Sequence, residues 1–183
     1  MSNFPIWFQP HFFDKNLPKD REYNVLQIGT YTGDATEWLL DNRNIITIDD
    51  VDTWEGSLEL AHETINFAEV EVYYDSRFGE DSRVIKHKMT SNEFFKNNTK
   101  KYDFILIDGD HTASQTAIDG LNAFQCLEVG GIMAFDDYEW NLGKGSYYNP
   151  KDGINAVLNI AHDYIRVIEL TYQAWIEKVY EDQ

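Results

Sequence analysis

Cysteine is nearly absent from this chain, since Cys126 is the only one among 183 residues. A single thiol cannot form an intrachain disulfide, which favours an intracellular setting, and we expect a cytoplasmic protein. Cys126 lies in an apolar stretch with helical spacing, close to Phe124 and Leu127. We therefore interpret it as a small core residue rather than as a nucleophile.

Basic residues and long apolar runs are scarce as well. The chain has 15 Lys and Arg against 32 Asp and Glu, giving a formal net charge of −17. This balance argues against nucleic acid and against anionic membrane surfaces, because both partners are bound through Lys and Arg. No apolar run approaches the length of a membrane span, and the first residues lack the basic flank and cleavage site of a signal peptide. We expect a small-molecule partner.

Aromatic residues, by contrast, make up 15% of the chain, which is ample material for a core. The length suits one domain, with an N-terminal arm over 1–22 and a catalytic core over 23–183. Pro5 and Pro10 interrupt the arm, so we expect an irregular segment. It would pack over the domain or against a second subunit of a homo-oligomer.

Strand and helix patterns alternate along the core. The predicted strands are Asn24–Ile28, Ile45–Ile48, Arg83–Lys88, Phe104–Ile107, Ile132–Phe135, Tyr164–Leu170 and Gln173–Val179. The predicted helices are Asp34–Leu40, Ser57–Phe67 with a continuation towards Tyr74, Asn92–Asn97, Thr112–Leu127 and Gly153–Asp163, with Gly130-Gly131 as a break. This order predicts an α/β fold: a doubly wound, mostly parallel seven-stranded sheet with an antiparallel C-terminal strand pair.

Carboxylates follow two of these strands directly. Asp108 ends the fourth strand, with His111 three residues later, and Asp136 and Asp137 end the fifth. If the two strands are neighbours they lie about 5 Å apart. Three carboxylates at that separation need a cation or protons, and a hard divalent ion such as Mg²⁺ prefers oxygen ligands of this kind. The alternative is that these residues cap helices or order loops.

Two glycines bracket the turn after the first strand. Gly29 and Gly33 form G-x-x-x-G rather than the G-x-G-x-x-G of dinucleotide-binding folds, so a dinucleotide is the weaker expectation. Asp49 ends the second predicted strand. Its carboxylate could accept hydrogen bonds from a ribose diol, or it could cap a turn.

Four segments together resemble class I S-adenosylmethionine-dependent methyltransferases: VLQIGTYTG (Val25–Gly33), TIDD (Thr47–Asp50), YDFILIDGDH (Tyr102–His111) and LEVGGIMAFDDY (Leu127–Tyr138). The last two resemble the branch of the metal-dependent sugar O-methyltransferases and the cephalosporin-hydroxylase-like proteins. The resemblance covers most of the chain from Asn24 onward. It implies a Rossmann-like fold with S-adenosyl-L-methionine as cofactor.

The resemblance also assigns roles to residues. Cofactor contacts would come from Gln27, Gly29, Thr30, Tyr31, Thr32, Gly33, Asp49, Ser91 and Asp108. Among these, the glycine turn would face the methionine half, Asp49 the ribose and Ser91 the adenine. Asp108, Asp136 and Asp137 would bind the metal, and His111 would act as the base, with Asp108 beside it in the catalytic centre.

One position departs from the family pattern. The family usually has a carboxylate where this chain has Gln27, and an amide offers no charge to the ammonium group of the cofactor. The function expected from the resemblance is methyl transfer to a hydroxyl of a small molecule, sugar or phenol-like, assisted by Mg²⁺. Two alternatives stay open: a cofactor-binding or interaction protein that has lost catalysis, and a nicotinamide-dependent oxidoreductase, which the glycine spacing disfavours.

Overall fold

The computed structural model describes residues 4–57, 62–140 and 145–180, and in these residues the chain forms seven strands and six α-helices. The strands are β1 (Glu22–Ile28), β2 (Asn44–Asp52), β3 (Val84–Lys88), β4 (Tyr102–Ile107), β5 (Leu127–Phe135), β6 (Ile165–Leu170) and β7 (Ala174–Lys178). The helices are α1 (Pro10–Asn16), α2 (Asp34–Asn42), α3 (Phe67–Phe78), α4 (Ser91–Asn97), α5 (Ala113–Cys126) and α6 (Pro150–Ile160).

The strands form one sheet in the order β3-β2-β1-β4-β5-β7-β6. The five strands from β1 to β5 pair in parallel, and β7 pairs antiparallel with both β5 and β6. The predicted fold class is therefore confirmed. The strand order reverses between β1 and β4, and ligands of open α/β sheets bind at the carboxyl ends of the strands beside such a reversal.

Helices cover both faces of the sheet. Helices α1 and α2 pack on one face, and α4, α5 and α6 pack on the other. The central strands carry apolar residues towards both layers, which is why β4 is a nearly unbroken apolar run. No helix in the described parts of the chain is long and apolar enough to cross a bilayer.

The N-terminal arm is more regular than the sequence indicated. The expectation of an irregular segment was wrong over α1, where Pro10 takes the first helical position, a place at which proline is favoured. Phe13 is 1% exposed, and its ring meets the rings of Phe104 and Trp175 edge to face, with centroids 5.7 and 5.2 Å away. The buried Arg43 guanidinium donates to the Phe13 carbonyl oxygen at 3.1 Å. The arm thus packs on its own domain.

The helix predicted over Ser57–Phe67 is also corrected. Part of it, 58–61, lies outside the described residues, and 62–66 forms a short turn and an extended connection. The α-helix begins at Phe67, after the N-cap residue Asn66. Its buried face is Val70, Tyr74 and Phe78, spaced by four, so the apolar period that matters starts later than expected.

Two strands extend further than predicted. β2 continues past Asp49 to Asp52, because its last residues still pair with β1 and β3. β5 starts at Leu127 and passes through Gly130-Gly131 instead of being broken there. Gly130 has a φ of 77°, and the register to β4 shifts at this place, so the glycines form a bulge.

We expect Phe13→Ala to destabilise the protein by about 3–5 kcal/mol, because it removes a buried aromatic ring between the arm and the sheet. Ile6→Ala is the control, since Ile6 in the same arm is 72% exposed and should cost little. Urea unfolding followed by circular dichroism measures both variants. Equal midpoints for the two variants would contradict this packing of the arm.

Candidate active site

The glycine turn packs directly against the end of β4. Gly29 and Gly33 have φ values of 84° and 81°, which other residues rarely adopt. A Cβ atom added at Gly29 would lie 1.8 Å from the Asp108 carbonyl oxygen, so only glycine allows this approach. The turn between β1 and α2 therefore contacts Asp108, the first residue after β4.

Asp52 holds the glycine turn from the neighbouring strand. Its Oδ2 accepts hydrogen bonds from the backbone N–H groups of Thr30 and Tyr31, both at 2.8 Å, and its Oδ1 accepts one from Trp54 N–H at 2.7 Å. Sequence reasoning missed Asp52 because it ended the strand too early. The sequence DTWEG, which begins at Asp52, could have indicated this residue, because an acidic residue followed by a turn often marks the end of a strand.

Asp49, the residue expected at this place, lies three positions before the strand end. It is 1% exposed, and its carboxylate is bound by Lys100 Nζ at 2.8 and 2.9 Å and contacts His87 Nε2 at 2.7 Å. Burial opposes its ionisation, but the hydrogen bonds from His87 and Lys100 outweigh burial and lower its pKa. Lys100 also lines two cavities of about 330 and 530 Å³ near the amino end of β4, far from the acidic strand ends.

The turn holds two buried polar atoms, the Thr30 and Tyr31 hydroxyl oxygens, that have no hydrogen-bond partner among the residues the structure describes. The Tyr31 ring stacks on Trp7 of the arm, with centroids 4.8 Å apart, and burial raises the pKa of Tyr31 to about 12. Thr32, by comparison, is 2% exposed and its carbonyl accepts from Arg77. Buried polar atoms without a partner at this turn fit a polar ligand such as the methionine half of the cofactor.

Ser91 is the first residue of α4 and follows the N-cap Thr90. Its hydroxyl accepts a hydrogen bond from Gln115 Nε2 at 3.3 Å, and the same amide donates to Asp119 Oδ1 at 2.9 Å. Asp119 is 1% exposed, and burial raises its pKa to about 6. Ser91 thus belongs to a polar group between α4 and α5, beside the β4 end.

Asp108, His111 and Asp137 form the acidic centre of the site. One ligand atom from each lies within 4.8 Å of the other two. His111 Nε2 is 3.5 Å from Asp108 Oδ1 and 3.3 Å from Asp137 Oδ2. The side chains are between 15% and 35% exposed, so the group opens to solvent. Oxygen ligands with an imidazole at this spacing fit a divalent cation.

Asp136 lies beside this group, and its carboxylate accepts hydrogen bonds from other residues. Its Oδ1 accepts from Gln173 Nε2 at 2.8 Å and from Asp137 N–H at 2.9 Å. Burial and the Asp137 charge raise its pKa to about 6. Withdrawal from solvent and the Asp136 charge raise the pKa of Asp108 well above its ordinary value. The carboxylates therefore repel each other, and a cation would relieve that repulsion.

The turn between β6 and β7 supplies two residues that sequence reasoning missed. Tyr172 Oη donates to Asp137 Oδ1 at 2.8 Å, and Gln173 donates to Asp136. The signal lay in the topology: β7 runs antiparallel to β5, so the start of β7 must lie beside the end of β5. Asp137 itself has a φ of 59°, a strained backbone that these contacts help to hold.

Comparison with known proteins identifies the class. The family model described as "Methyltransferase domain" matches residues 26–138, more than half of the chain, so the chain belongs to this family. The predicted class, S-adenosylmethionine-dependent methyltransferases, is confirmed. The match spans β1 to the acidic end of β5 and thus contains both halves of the site described above. No match is found among curated proteins.

Solved structures agree on the fold. A putative caffeoyl-CoA O-methyltransferase from Staphylococcus aureus has a TM-score of 0.64 at 14% identity, covering 96% of this chain and 86% of that one. An O-methyltransferase from Bacillus cereus in complex with S-adenosylhomocysteine gives 0.61 at 16%, covering 85% and 74%. MycE methyltransferase from the mycinamycin biosynthetic pathway, in complex with Mg, S-adenosylhomocysteine and mycinamycin VI, gives 0.62 at 16%, covering 97% and 51%.

Asp136→Asn should raise the melting temperature of the metal-free protein by a few degrees at pH 8 and by less at pH 5. The folded-state pKa of Asp136 is raised to about 6, so the folded state binds more protons than the unfolded state. Stability is therefore lost as the pH rises from the unfolded pKa of 3.8 through the folded one. Differential scanning fluorimetry in the presence of a chelator measures the effect.

The exposed Asp163 provides a matched control, because its side chain is 76% exposed. Asp163→Asn should leave the pH dependence of the melting temperature unchanged. A pH profile of Asp136→Asn that parallels the wild-type profile would show that Asp136 is not crowded in the folded state.

Proposed function

We propose that the protein is a metal-assisted O-methyltransferase that moves a methyl group from S-adenosylmethionine to a hydroxyl of a small molecule. One observation carries the proposal: the glycine turn contacts Asp108, which also belongs to the acidic group with His111 and Asp137. A methyl donor in the turn and a cation at the carboxylates would then share one cleft. That proximity is the main requirement for a direct displacement.

The cofactor side of the site is assigned from the glycine turn outward. Gly29–Gly33 would receive the methionine half, beside the buried Thr30 and Tyr31 hydroxyls. We assign the ribose diol to Asp52, which ends β2 and contacts the glycine turn, in place of Asp49, which lies further back in the strand and is 1% exposed. Ser91 at the start of α4 lies on the adenine side.

The metal side uses the acidic strand ends. Asp108 and Asp137 would hold the ion, and Asp136 could contribute Oδ2 while its Oδ1 stays bound to Gln173. When bound, a divalent ion lowers the pKa of a coordinated alcohol. The donor set fits such an ion, since it is rich in carboxylate oxygen and its members destabilise each other without a cation.

His111 is the proposed base. Its Nε2 would take the proton of the acceptor hydroxyl as the oxygen attacks the methyl carbon of the sulfonium. S-adenosylmethionine, held by Gly29–Gly33, would supply the methyl carbon, and the electron pair of the carbon–sulfur bond would remain on the departing sulfur as the thioether of S-adenosylhomocysteine. Asp108 and Asp137 each bring a carboxylate oxygen within 3.5 Å of Nε2, and their charges favour the imidazolium that results.

The acceptor side is aromatic. The Trp140 ring packs at 4.9 Å from the His111 ring, and Tyr147 and Tyr148 are 57% and 44% exposed nearby in the chain. Such rings suit a sugar or a phenol, which presents apolar faces and hydroxyl groups together. The Mg and S-adenosylhomocysteine named together for MycE support a methyl transfer with metal assistance.

The second candidate function is a cofactor-binding protein without turnover, and Gln27 is the observation that favours it. Gln27 brings no charge, and its amide is turned inward, donating to the Gly29 carbonyl at 3.1 Å. The acidic group of Asp108, His111 and Asp137 would then serve binding alone. A nicotinamide-dependent oxidoreductase has no comparable support from the turn geometry.

Ligand-induced stabilisation separates these functions. We expect S-adenosylhomocysteine to raise the melting temperature and NAD to leave it unchanged, because only a ligand that binds the folded state stabilises it. Mg²⁺ should add a further shift at pH 8 that Asp137→Asn abolishes. A shift with NAD alone would overturn the proposal, and a shift with Mg²⁺ that survives in Asp137→Asn would remove the metal from this site.

His111→Gln should lower kcat by about 10²–10⁴-fold while leaving the affinity for S-adenosylhomocysteine within about twofold, because it removes the base but not the cofactor site. Turnover is measured as release of S-adenosylhomocysteine with a panel of sugar and phenol acceptors. His162→Gln is the matched control, since His162 is 69% exposed and lies after α6. Wild-type kcat in His111→Gln would rule out His111 as the base, and no turnover by the wild type with any acceptor would favour the binding protein.

A further inference from the structure

Four buried polar side chains lie together beneath the glycine turn. Gln27 from β1, Thr36 from α2, Asp50 from β2 and Tyr74 from α3 are each 2% exposed or less. They lie on the face of the sheet that α2 and α3 cover. None of the roles described so far involves Asp50, although it is a fully buried acid next to the cofactor turn.

The hydrogen bonds in this group converge on Asp50. Its Oδ2 accepts from Tyr74 Oη at 2.7 Å and from Thr36 Oγ1 at 2.9 Å. Thr36 Oγ1 is also 3.2 Å from Gln27 Oε1, so its single proton is shared between the two. Two donors and no acceptor at Oδ2 suit a carboxylate anion. The second oxygen, Oδ1, is buried and has no hydrogen-bond partner within residues 4–57, 62–140 and 145–180.

Gln27 and Asp50 face each other across the β1–β2 ladder as register partners. The family pattern puts a carboxylate at the position of Gln27, and here the carboxylate stands one strand away instead. Gln27 in turn donates to the Gly29 carbonyl at 3.1 Å, which connects the pair to the turn. The carboxylate beneath the turn is therefore on β2 and not on β1.

We propose that Asp50 is a positioning residue for the cofactor, supplying from beneath Gln27 the negative charge that favours the cofactor's ammonium group in the glycine turn. This inference rests on the proposed function, because it assumes that S-adenosylmethionine occupies the turn. Asp50 acts through Thr36 and Gln27 and through its field. A charge acts over several ångströms when no water intervenes.

The surroundings of Asp50 make this charge responsive to the cofactor. Burial, with smaller contributions from Asp52 and Asp49, raises the pKa of Asp50 to about 7, although the hydrogen bonds from Tyr74 and Thr36 act in the opposite direction. The register partner on β3, Lys86, directs its ammonium to Glu71 and Asp75. A bound ammonium would favour ionised Asp50, so the affinity for the cofactor should fall as the pH drops below 7.

The test moves the carboxylate back to β1. Isothermal titration calorimetry measures the affinity for S-adenosylhomocysteine of the wild type, Asp50→Asn, Gln27→Glu and the double variant Gln27→Glu/Asp50→Asn. We expect Asp50→Asn to bind about tenfold more weakly or worse at pH 8, given a charge interaction in a low-dielectric site. The double variant should recover to within about threefold of the wild type.

Methylthioadenosine separates charge from structure, because it keeps the adenosine and the sulfur but lacks the ammonium and carboxylate. Asp50→Asn should bind it as the wild type does. Equal losses for both ligands would overturn the proposal and make Asp50 a purely structural residue. So would an unchanged affinity of Asp50→Asn for S-adenosylhomocysteine, or a folded double variant that fails to recover.

Asp103→Asn is the matched control, since Asp103 binds Arg21 and the Asn24 backbone near the amino end of β4. It should lose stability without losing cofactor affinity. Asp50→Asn should also abolish the fall in affinity between pH 8 and pH 6, and a persisting fall would contradict the proposal. If the wild type itself does not bind S-adenosylhomocysteine, the proposed function fails. That result differs from every result that would overturn the role of Asp50 alone, because those require a wild type that binds.

Discussion

The structure depends on the hydrogen-bond ladder that joins the ends of β1, β4 and β5. Asp108 N–H donates to the Ile28 carbonyl at 2.8 Å, and Asp136 N–H donates to the Ile107 carbonyl at 3.0 Å. These two bonds fix the glycine turn and both acidic segments at one edge of the sheet. Every chemical assignment made for the site follows from that alignment, because side chains that are distant in sequence become neighbours there.

The site concentrates unfavourable groups. Carboxylates crowd at the ends of β4 and β5, Asp50 and Asp119 are buried acids, and Tyr31, Trp54 and Asp137 have positive φ values without being glycine. Strain and raised carboxyl pKa values of this kind are typical of places where a ligand supplies the missing partner. The apolar strands and the two helical layers in the remainder of the domain provide the stability that offsets the cost of these groups.

The fold was predictable because its signals are local. Apolar runs such as Phe104–Ile107 and glycines such as Gly29 depend on the residue and its immediate neighbours, so the succession of strands and helices along the chain and the acidic strand ends follow from the sequence. Strand bounds were less predictable, since only tertiary pairing extends β2 to Asp52. For the same reason Asp49 was expected at the edge, whereas it is buried and bound by Lys100.

Contacts between distant elements could not be predicted from spacing. Tyr172 and Gln173 contact Asp137 and Asp136 only because β7 runs antiparallel beside β5. The shared proton of Thr36 between Gln27 and Asp50 likewise requires three elements to meet. A sequence shows that Gln27 lacks a charge, but only the register of β1 and β2 shows where a replacement charge stands.

The proposed mechanism requires that one cleft hold a cation and a methyl donor together. Crystals grown with Mn²⁺ and S-adenosylhomocysteine test it through the anomalous difference density of manganese. We predict a single strong peak bound to the carboxylates of Asp108 and Asp137, with the sulfur of S-adenosylhomocysteine in the same cleft beside Gly29. Manganese elsewhere, or S-adenosylhomocysteine bound away from the glycine turn, would contradict it.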